Sequence, residues 1–490
     1  MIPLVRRAPE RFRALRSFLE DGGFTERDLF SRLNVANLGE LKSPGISRDF
    51  EKLDTPSSVL THLFLDREPA PAKLVEERLG VEGAALLQEF GLLRAAPSDP
   101  GALLGTVMLY PLYGLYIASD RDWEPETGRG NLPRTDAVYL AITPNAYDYL
   151  SALPVSPCDD FLDLCSGAGI SALMAARGYA KRACGCDLLE RCAKFAAWSA
   201  ELNGISNVEL LTGDLYEPVT GRLFDRIVAH PPYVPSGETT HVFRDGGLDG
   251  ERVTRGIIEG VPGALRPGGH CYLTAAFAER RDISIEARVR AMLGEQESDF
   301  DVFAVARRRI ELDSFYRAEA AVRRAFDAGI HSFALCSIAL QRRSSPRPVF
   351  TILRKCSTVR GPMLEWTLRW EAMVREPGFD GRLMRERLTA APGVRLRKTH
   401  ALEKKRWVQT SATLVTGDPF PLEEGCPPWV SMLLELCDGN ATVRDALETL
   451  KARGAVPSHA SGPEFARMVQ MLISAGFLEI ASLRLPASNG

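Results

Sequence analysis

The stretch that most restricts how this chain folds is FLDLCSGAGI, at residues 161–170. An apolar run ends in Cys165-Ser166-Gly167-Ala168-Gly169, and a helix-like segment opens at once behind it. A strand that turns straight into a helix needs glycine at the reversal, because glycine alone enters left-handed backbone without steric cost. The helix so launched points unpaired N–H groups back at the turn, which suits a polar ligand group. From there strands and helices alternate. DDFLDLC, RACGCD, NVELLTGD, FDRIVAH and HCYLTAAF read as strands, and ALMAARG, LERCAKFAAWSAELNG and ERVTRGIIEGVPGAL as helices. This spacing predicts an α/β fold with a doubly wound, mostly parallel sheet. RPGG at 266–269 forms the turn into the fifth strand, and DVFAVARRRIEL and FALCSIALQRR alternate as antiparallel edge strands do.

The acidic residues fall where a nucleoside would need them. Asp187 closes the second strand, where a carboxylate can accept both hydroxyls of a ribose. Asp214 closes the third and can accept from an adenine amino group, with Leu188 and Leu215 on the two faces of the ring. Asp163, on the first strand, can meet an ammonium group directly or through water. The turn carries Gly167 and Gly169 but lacks the third glycine of a dinucleotide fingerprint. Turn, Asp187, Asp214 and a later Pro-Pro-Tyr together predict S-adenosylmethionine as the cofactor. The histidines and cysteines show no metal-ligand spacing, so no metal is expected.

FDRIVAHPPYVP, ending at Pro235, resembles the N-P-P-Y motif of class I S-adenosylmethionine-dependent methyltransferases that modify planar nitrogens. That group includes the glutamine methyltransferases of release factors and ribosomal protein and the rRNA N-methyltransferases. The similarity covers roughly residues 159–277 and implies a Rossmann-like class I methyltransferase domain. In the family, the Asn side-chain oxygen and the next carbonyl accept the two hydrogens of the amine, and the aromatic residue packs on its plane. Catalysis is then mainly positioning.

Carried onto this chain, the catalytic roles fall to His230, Pro231 and Tyr233, with Pro232 at the substrate. His230 departs from the motif's Asn. A neutral imidazole has one acceptor nitrogen, whereas an imidazole of ordinary pKa accepts a proton near neutrality. His230 therefore either orients an N–H beside the Pro231 carbonyl or acts as general base for an oxygen, a carbon or an aliphatic amine. HVFRDGGLDGE, at 241–251, resembles the glycine-rich loop that follows N-P-P-Y and brings Arg244 and Asp245 to the substrate pocket. TPNAYDYLSALP, at 143–154, stands where such enzymes run a segment across the cofactor, with Tyr147 and Tyr149 as lid residues.

Outside this region the chain reads as modules. Residues 1–100 are expected to form a helical, winged-helix-like domain, and 101–155 a β-hairpin followed by a lid and linker that includes a polar loop at 121–136. The methyltransferase domain spans 156–345, a mixed Arg- and Trp-bearing connection 346–420, and a second winged-helix-like domain 421–490. Lys plus Arg number 60 against 63 Asp plus Glu, which leaves no global basic field for a nucleic-acid backbone. A protein or small-molecule methyl acceptor is the expected partner, and nucleic acid less so. Ten cysteines scattered through apolar segments read as buried thiols. No apolar run reaches the ~18 residues of a membrane span, so a cytoplasmic protein is expected. The expected function is methyl transfer to a nitrogen of a protein side chain or small metabolite, with the flanking domains selecting the substrate. O- or C-methylation with His230 as base, or a non-catalytic S-adenosylmethionine-binding module, are the alternatives.

Overall fold

The computed structural model describes residues 2–42, 52–121, 135–236, 241–316 and 319–483. Its centre is an eight-stranded sheet of β1 (Cys158–Leu164), β2 (Ala180–Asp187), β3 (Val208–Thr212), β4 (Phe224–Ala229), β5 (Leu265–Arg280), β6 (Phe300–Glu311), β7 (Ile330–Arg342) and β8 (Thr351–Lys355). Their order across the sheet is β8-β6-β7-β5-β4-β1-β2-β3. Strands β1 to β5 pair in parallel. The near-continuous apolar runs of β4 and β5 follow from burial on both faces, whereas β3, at the sheet's other end, has no fully buried residue. Phe161 and Val228 enter one core, and Leu162, Leu164, Ile227 and Ala229 the other. Helices α1 (Ile170–Gly178) and α2 (Glu190–Leu202) cover the first face, and α3 (Arg252–Ala264) and α4 (Ile285–Met292) the second.

One expectation about the sheet is corrected. β7 is antiparallel to both β5 and β6, but it lies between them rather than at an edge. Its residues 332–340 are all buried, as an inner strand requires. The edge belongs to β8, which pairs in parallel with β6 and lies in the region expected to be a mixed connection. Polar/apolar alternation in β6 and β7 marked antiparallel pairing and carried no information about which strand ends the sheet.

The N-terminal residues contribute helices Pro9–Asp21, Glu26–Leu33, Ala72–Leu79 and Val81–Glu89 and a small three-stranded sheet. They do not stand apart from the central domain. Trp198 of α2 packs edge-on against Phe12 at 5.7 Å and Phe90 at 6.2 Å, and its Nε1 donates to the Val5 carbonyl at 3.0 Å. At the other end, strand Arg387–Ala390 lies between Asp438–Thr442 and Leu478–Ile480. The 346–420 connection thus supplies the middle strand of the C-terminal module's sheet. Helices Val443–Ala452 and Gly462–Ser474 of that module each begin with a capping box, at Thr442/Asp445 and Ser461/Glu464. Of the polar loop expected at 121–136, residues 122–134 lie outside the described residues. All ten cysteines are unpaired thiols, buried except for half-buried Cys158, Cys165 and Cys356. Among the described residues no helix is long and apolar enough to cross a membrane.

The shared aromatic core sets a stability expectation. Trp198→Ala removes a buried ring and its indole hydrogen bond, so it should cost about 3–5 kcal/mol. Urea unfolding of the full chain measures this; a loss below about 1 kcal/mol would show that the N-terminal helices do not stabilise the central domain.

Candidate active site

The order of strands reverses at β1: β4 lies on one side and β2 on the other, so the loops leaving their C-terminal ends diverge and open a cleft. A cavity of about 740 Å³ occupies it. Asp163, Gly167, Asp187, Leu188, Asp214, Leu215, His230, Pro231, Pro232, Tyr233, Arg244 and Asp245 all line it. The local chain explains why. Cys165, Gly167 and Gly169 have φ of 55°, 54° and 81°, so the backbone turns sharply between β1 and α1. A Cβ on Gly169 would stand 2.6 Å from the Ala196 Cβ, so that glycine serves the close approach of α2 rather than lining the cleft. A Cβ on Gly167 would meet nothing within 4 Å, because the space beside it is the cavity.

Asp187 joins two walls. One carboxylate oxygen accepts from Gly167 N at 2.8 Å and the other from Leu189 N at 3.0 Å, which ties the turn to the start of α2. Desolvation raises its pKa against those two hydrogen bonds. Asp163 is buried and accepts from Ala172 N at 3.2 Å; burial raises its pKa well above the ordinary carboxylate value, and the nearby Asp187 adds to the rise. Two carboxylates at one cleft favour a cationic ligand, whose charge would favour the ionised form of both. Asp214 is exposed at the rim, and Leu188 is 53% exposed. Carboxylates facing a cleft, an open space beside Gly167 and apolar rim residues fit S-adenosylmethionine. Asp163 and the α1 N-terminus would hold the methionine end, Asp187 the ribose, and Asp214, Leu188 and Leu215 the adenine.

His230 directly follows β4. Its ring stacks on Tyr149 at 4.8 Å and 18°, and Tyr233 lies tilted against it at 5.8 Å. Its Nε2 is buried without a hydrogen-bond partner among the described residues. Desolvation lowers its pKa to about 4. The expectation of a base poised near neutrality is thereby corrected: at pH 7 this imidazole is neutral and weakly basic. Tyr233 is buried, and its hydroxyl, pushed up to about 12, accepts from Asn145 Nδ2 at 2.9 Å.

The segment over the cleft is helix Pro144–Ser151, begun by the Thr143 hydroxyl, which accepts from Ala146 N. Tyr147, expected as a lid residue, does not line the cavity; its hydroxyl accepts from Leu38 N at 3.2 Å, in the N-terminal module. Helical spacing puts the adjacent odd position on another face, and Tyr149 takes the place beneath His230 while accepting from Ser171 Oγ at 3.1 Å. Two arginines hold this helix down. The β6–β7 register shifts between Ala306 and Arg308, and the bulge aims Arg307 and Arg308 at the same target. Arg307 Nη1 donates to the Asp148 carbonyl at 2.7 Å and Nη2 to its carboxylate at 2.7 Å, while Arg308 donates to Asn145 Oδ1 at 2.9 Å.

Asn145 and Arg308 escaped the sequence reading. The only signal was RRR within an apolar strand, which by itself reads as solvated charge. The loop after Pro-Pro-Tyr closes the far wall. Val234 N donates to the Arg244 carbonyl at 2.9 Å and Gly246 N to the Val234 carbonyl at 2.8 Å. Asp245 is buried and accepts from His241 N at 2.9 Å, Arg244 is half exposed beside it, and Phe243 stacks on Tyr139 at 4.8 Å.

Two outcomes follow. Asp187→Ala should weaken S-adenosylmethionine binding roughly tenfold to a hundredfold in calorimetry, the scale of losing hydrogen bonds to a charged group; unchanged affinity would remove Asp187 from the cofactor site. His230 contributes to stability with a definite sign. Its folded pKa of about 4 lies below the ordinary value of 6.5, so between these pH values the unfolded chain binds the extra proton. Stability is therefore lost as pH falls through that window, and His230→Asn should flatten this part of the pH–stability curve.

Residues 148–297 match the methyltransferase small domain family. The chain is 33% identical over 124 residues to a release factor glutamine methyltransferase of Thermodesulfovibrio yellowstonii, covering 23% of this chain and 44% of that protein. It is 30% identical over 161 residues to a ribosomal protein uL3 glutamine methyltransferase of Bradyrhizobium diazoefficiens, covering 30% of this chain and 50% of the relative. The chain thus spans half or less of the length of these two curated relatives. Among solved structures, a ribosomal protein L11 methylase of Lactobacillus delbrueckii subsp. bulgaricus matches 41% of this chain and 78% of its own, at 18% identity and a TM-score of 0.26. Taken with the motif order, the family match marks residues 148–297 as a class I S-adenosylmethionine-dependent methyltransferase domain that is similar to the N-P-P-Y branch.

Proposed function

We propose that this chain transfers a methyl group from S-adenosylmethionine to a nitrogen of a protein side chain, with the amide of a glutamine as the best-suited acceptor. The observation that carries this reading is the neutral, half-buried His230 at the end of β4, whose Nε2 is buried and has no hydrogen-bond partner among the described residues. In the Nδ1–H tautomer, Nε2 accepts one N–H of a planar NH₂ group and the Pro231 carbonyl accepts the other. Tyr149 fixes the imidazole plane from below, and Tyr233, held by Asn145, supplies an aromatic wall for the acceptor plane. The bound cofactor supplies an electrophilic methyl on a sulfonium. The chain's own task is to orient the nitrogen lone pair and exclude water, which is the kind of catalysis a rigid Pro231-Pro232 turn can deliver. General-base chemistry on an oxygen or carbon is disfavoured, because a group of pKa about 4 is a poor base at neutrality.

The names of the two relatives give glutamine in a release factor and in ribosomal protein uL3 as their acceptors. For this chain the acceptor protein is part of the proposal, as is its selection by the flanking modules and a cytoplasmic location in keeping with ten unpaired thiols.

Labelled S-adenosylmethionine incubated with host lysate and the full chain tests the reading. Label should enter the protein fraction and map by mass spectrometry to a methylated glutamine. His230→Ala should lower turnover on the order of a hundredfold, the scale of a misplaced reacting group, while cofactor affinity stays unchanged. His230→Asn should retain most of the activity, since an amide oxygen can replace Nε2 as acceptor. The pH–rate profile should show no inflection near 6.5. Label confined to small molecules or nucleic acid would overturn the acceptor, and label equal in wild type and His230→Ala would overturn the catalytic role.

A further inference from the structure

The region between the central domain and the last helices holds a long antiparallel ribbon, Arg395–Glu403 paired with Arg406–Thr416. Among the described residues, only its base pairs with a further strand. Strand Leu422–Gly425 pairs with the 413–416 end, and Leu414 enters a small core with Cys426, Val430 and Phe477. From Lys398 and Ala412 outward the ribbon is two strands wide, and most of its residues are exposed.

Its chemistry is unlike that of the rest of the chain. Overall the protein carries a net charge of −3, yet the ribbon bears Arg395, Arg397, Lys398, Lys404, Lys405 and Arg406 against the one acid Glu403. Arg397 pairs with Glu423 at 3.2 Å, whereas Lys398, Lys404, Lys405 and Arg406 form no ion pair among the described residues. The tip is built at a backbone cost. Lys404 and Lys405 both have positive φ, 44° and 66°, in a two-residue turn of the kind that favours Asn-Gly. A turn that needs left-handed backbone but carries two long cationic side chains points to a use for those side chains. Behind the tip, Leu402 and Trp407 are directly opposite on one face and remain 62% and 71% exposed.

We propose that the tip of this ribbon binds RNA. Lys398, Lys404, Lys405 and Arg406 hold the phosphate backbone, and Trp407 stacks on an unpaired base with Leu402 beside it. Charge complementarity calls for a polyanion. The indole offers one donor and a broad face, which suits stacking on an unpaired base better than reading base edges in a duplex groove. RNA loops present such bases. A membrane-inserting hairpin would carry its apolar residues at the apex, where this one has lysines. The inference is independent of the methyl acceptor.

Fluorescence anisotropy with the full chain and a labelled stem–loop RNA, at about 50 and 200 mM salt, is the test. Binding should weaken with salt. Lys404→Asn/Lys405→Gly places favoured residues in the turn, so the ribbon is retained while two charges are removed; affinity should fall about tenfold or more and the log–log salt slope should lessen by about 1.4. Trp407→Ala should weaken binding roughly tenfold with little change in slope. Unchanged thermal unfolding of both variants shows that they fold. The proposal is overturned if either variant binds the RNA as wild type does, if the wild type does not bind it, or if duplex DNA or vesicles of phosphatidylserine and phosphatidylcholine bind as tightly.

Discussion

The site depends on the place of β1 in the sheet, between β4 and β2. Parallel strands deliver their loops at one end, and a reversal of order makes neighbouring loops part rather than cover each other. Three of the site's walls stand beside that gap: the Gly167 turn after β1, Asp187 at the end of β2, and His230 after β4. Asp187 then binds two of these walls through backbone N–H groups, so a single carboxylate both shapes the cleft and faces it.

The second constraint is the lid helix Pro144–Ser151. The Tyr149 ring of this helix, stacked on His230, helps to strip water from the imidazole, and desolvation favours the neutral form and brings the pKa down to about 4. The stack of Tyr149 on His230 would be loose if the helix were free to lift. Arg307 and Arg308, aimed by one bulge, secure it at Asp148 and Asn145, and Asn145 passes the constraint on to the Tyr233 hydroxyl. A β-bulge far along the sequence thus sets the floor and wall of the acceptor pocket.

Local chemistry was legible because local steric rules produce it. Gly167 must adopt positive φ wherever the fold is placed, and Pro231-Pro232 stiffens its turn without help from any neighbour. That Asp187 and Asp214 line the cleft was legible because strand ends follow from periodicity, although the third strand stops at Thr212, two residues before Asp214. Tyr147 and Tyr149 were not separable in this way, since a two-residue step on a short helix turns the side chain through about 200°, and only the packing of the N-terminal module shows which ring it takes. Asn145 and Arg308 were hidden for a related reason: their partnership joins residues far apart in the chain. The basic ribbon was hidden by averaging, because its cations are offset in the composition by acids elsewhere.

By itself the sequence determined the alternating strand-and-helix domain, its cofactor class and the turn that carries His230, because periodicity, glycine and proline act over a few residues. Tertiary structure alone decided that β7 lies inside the sheet, that β8 forms its edge and that 346–420 lends a strand to the C-terminal module, because such pairings are chosen by burial between distant segments. It also decided the protonation of His230. Desolvation is a property of everything packed around a group, and no run of residues in the chain contains it.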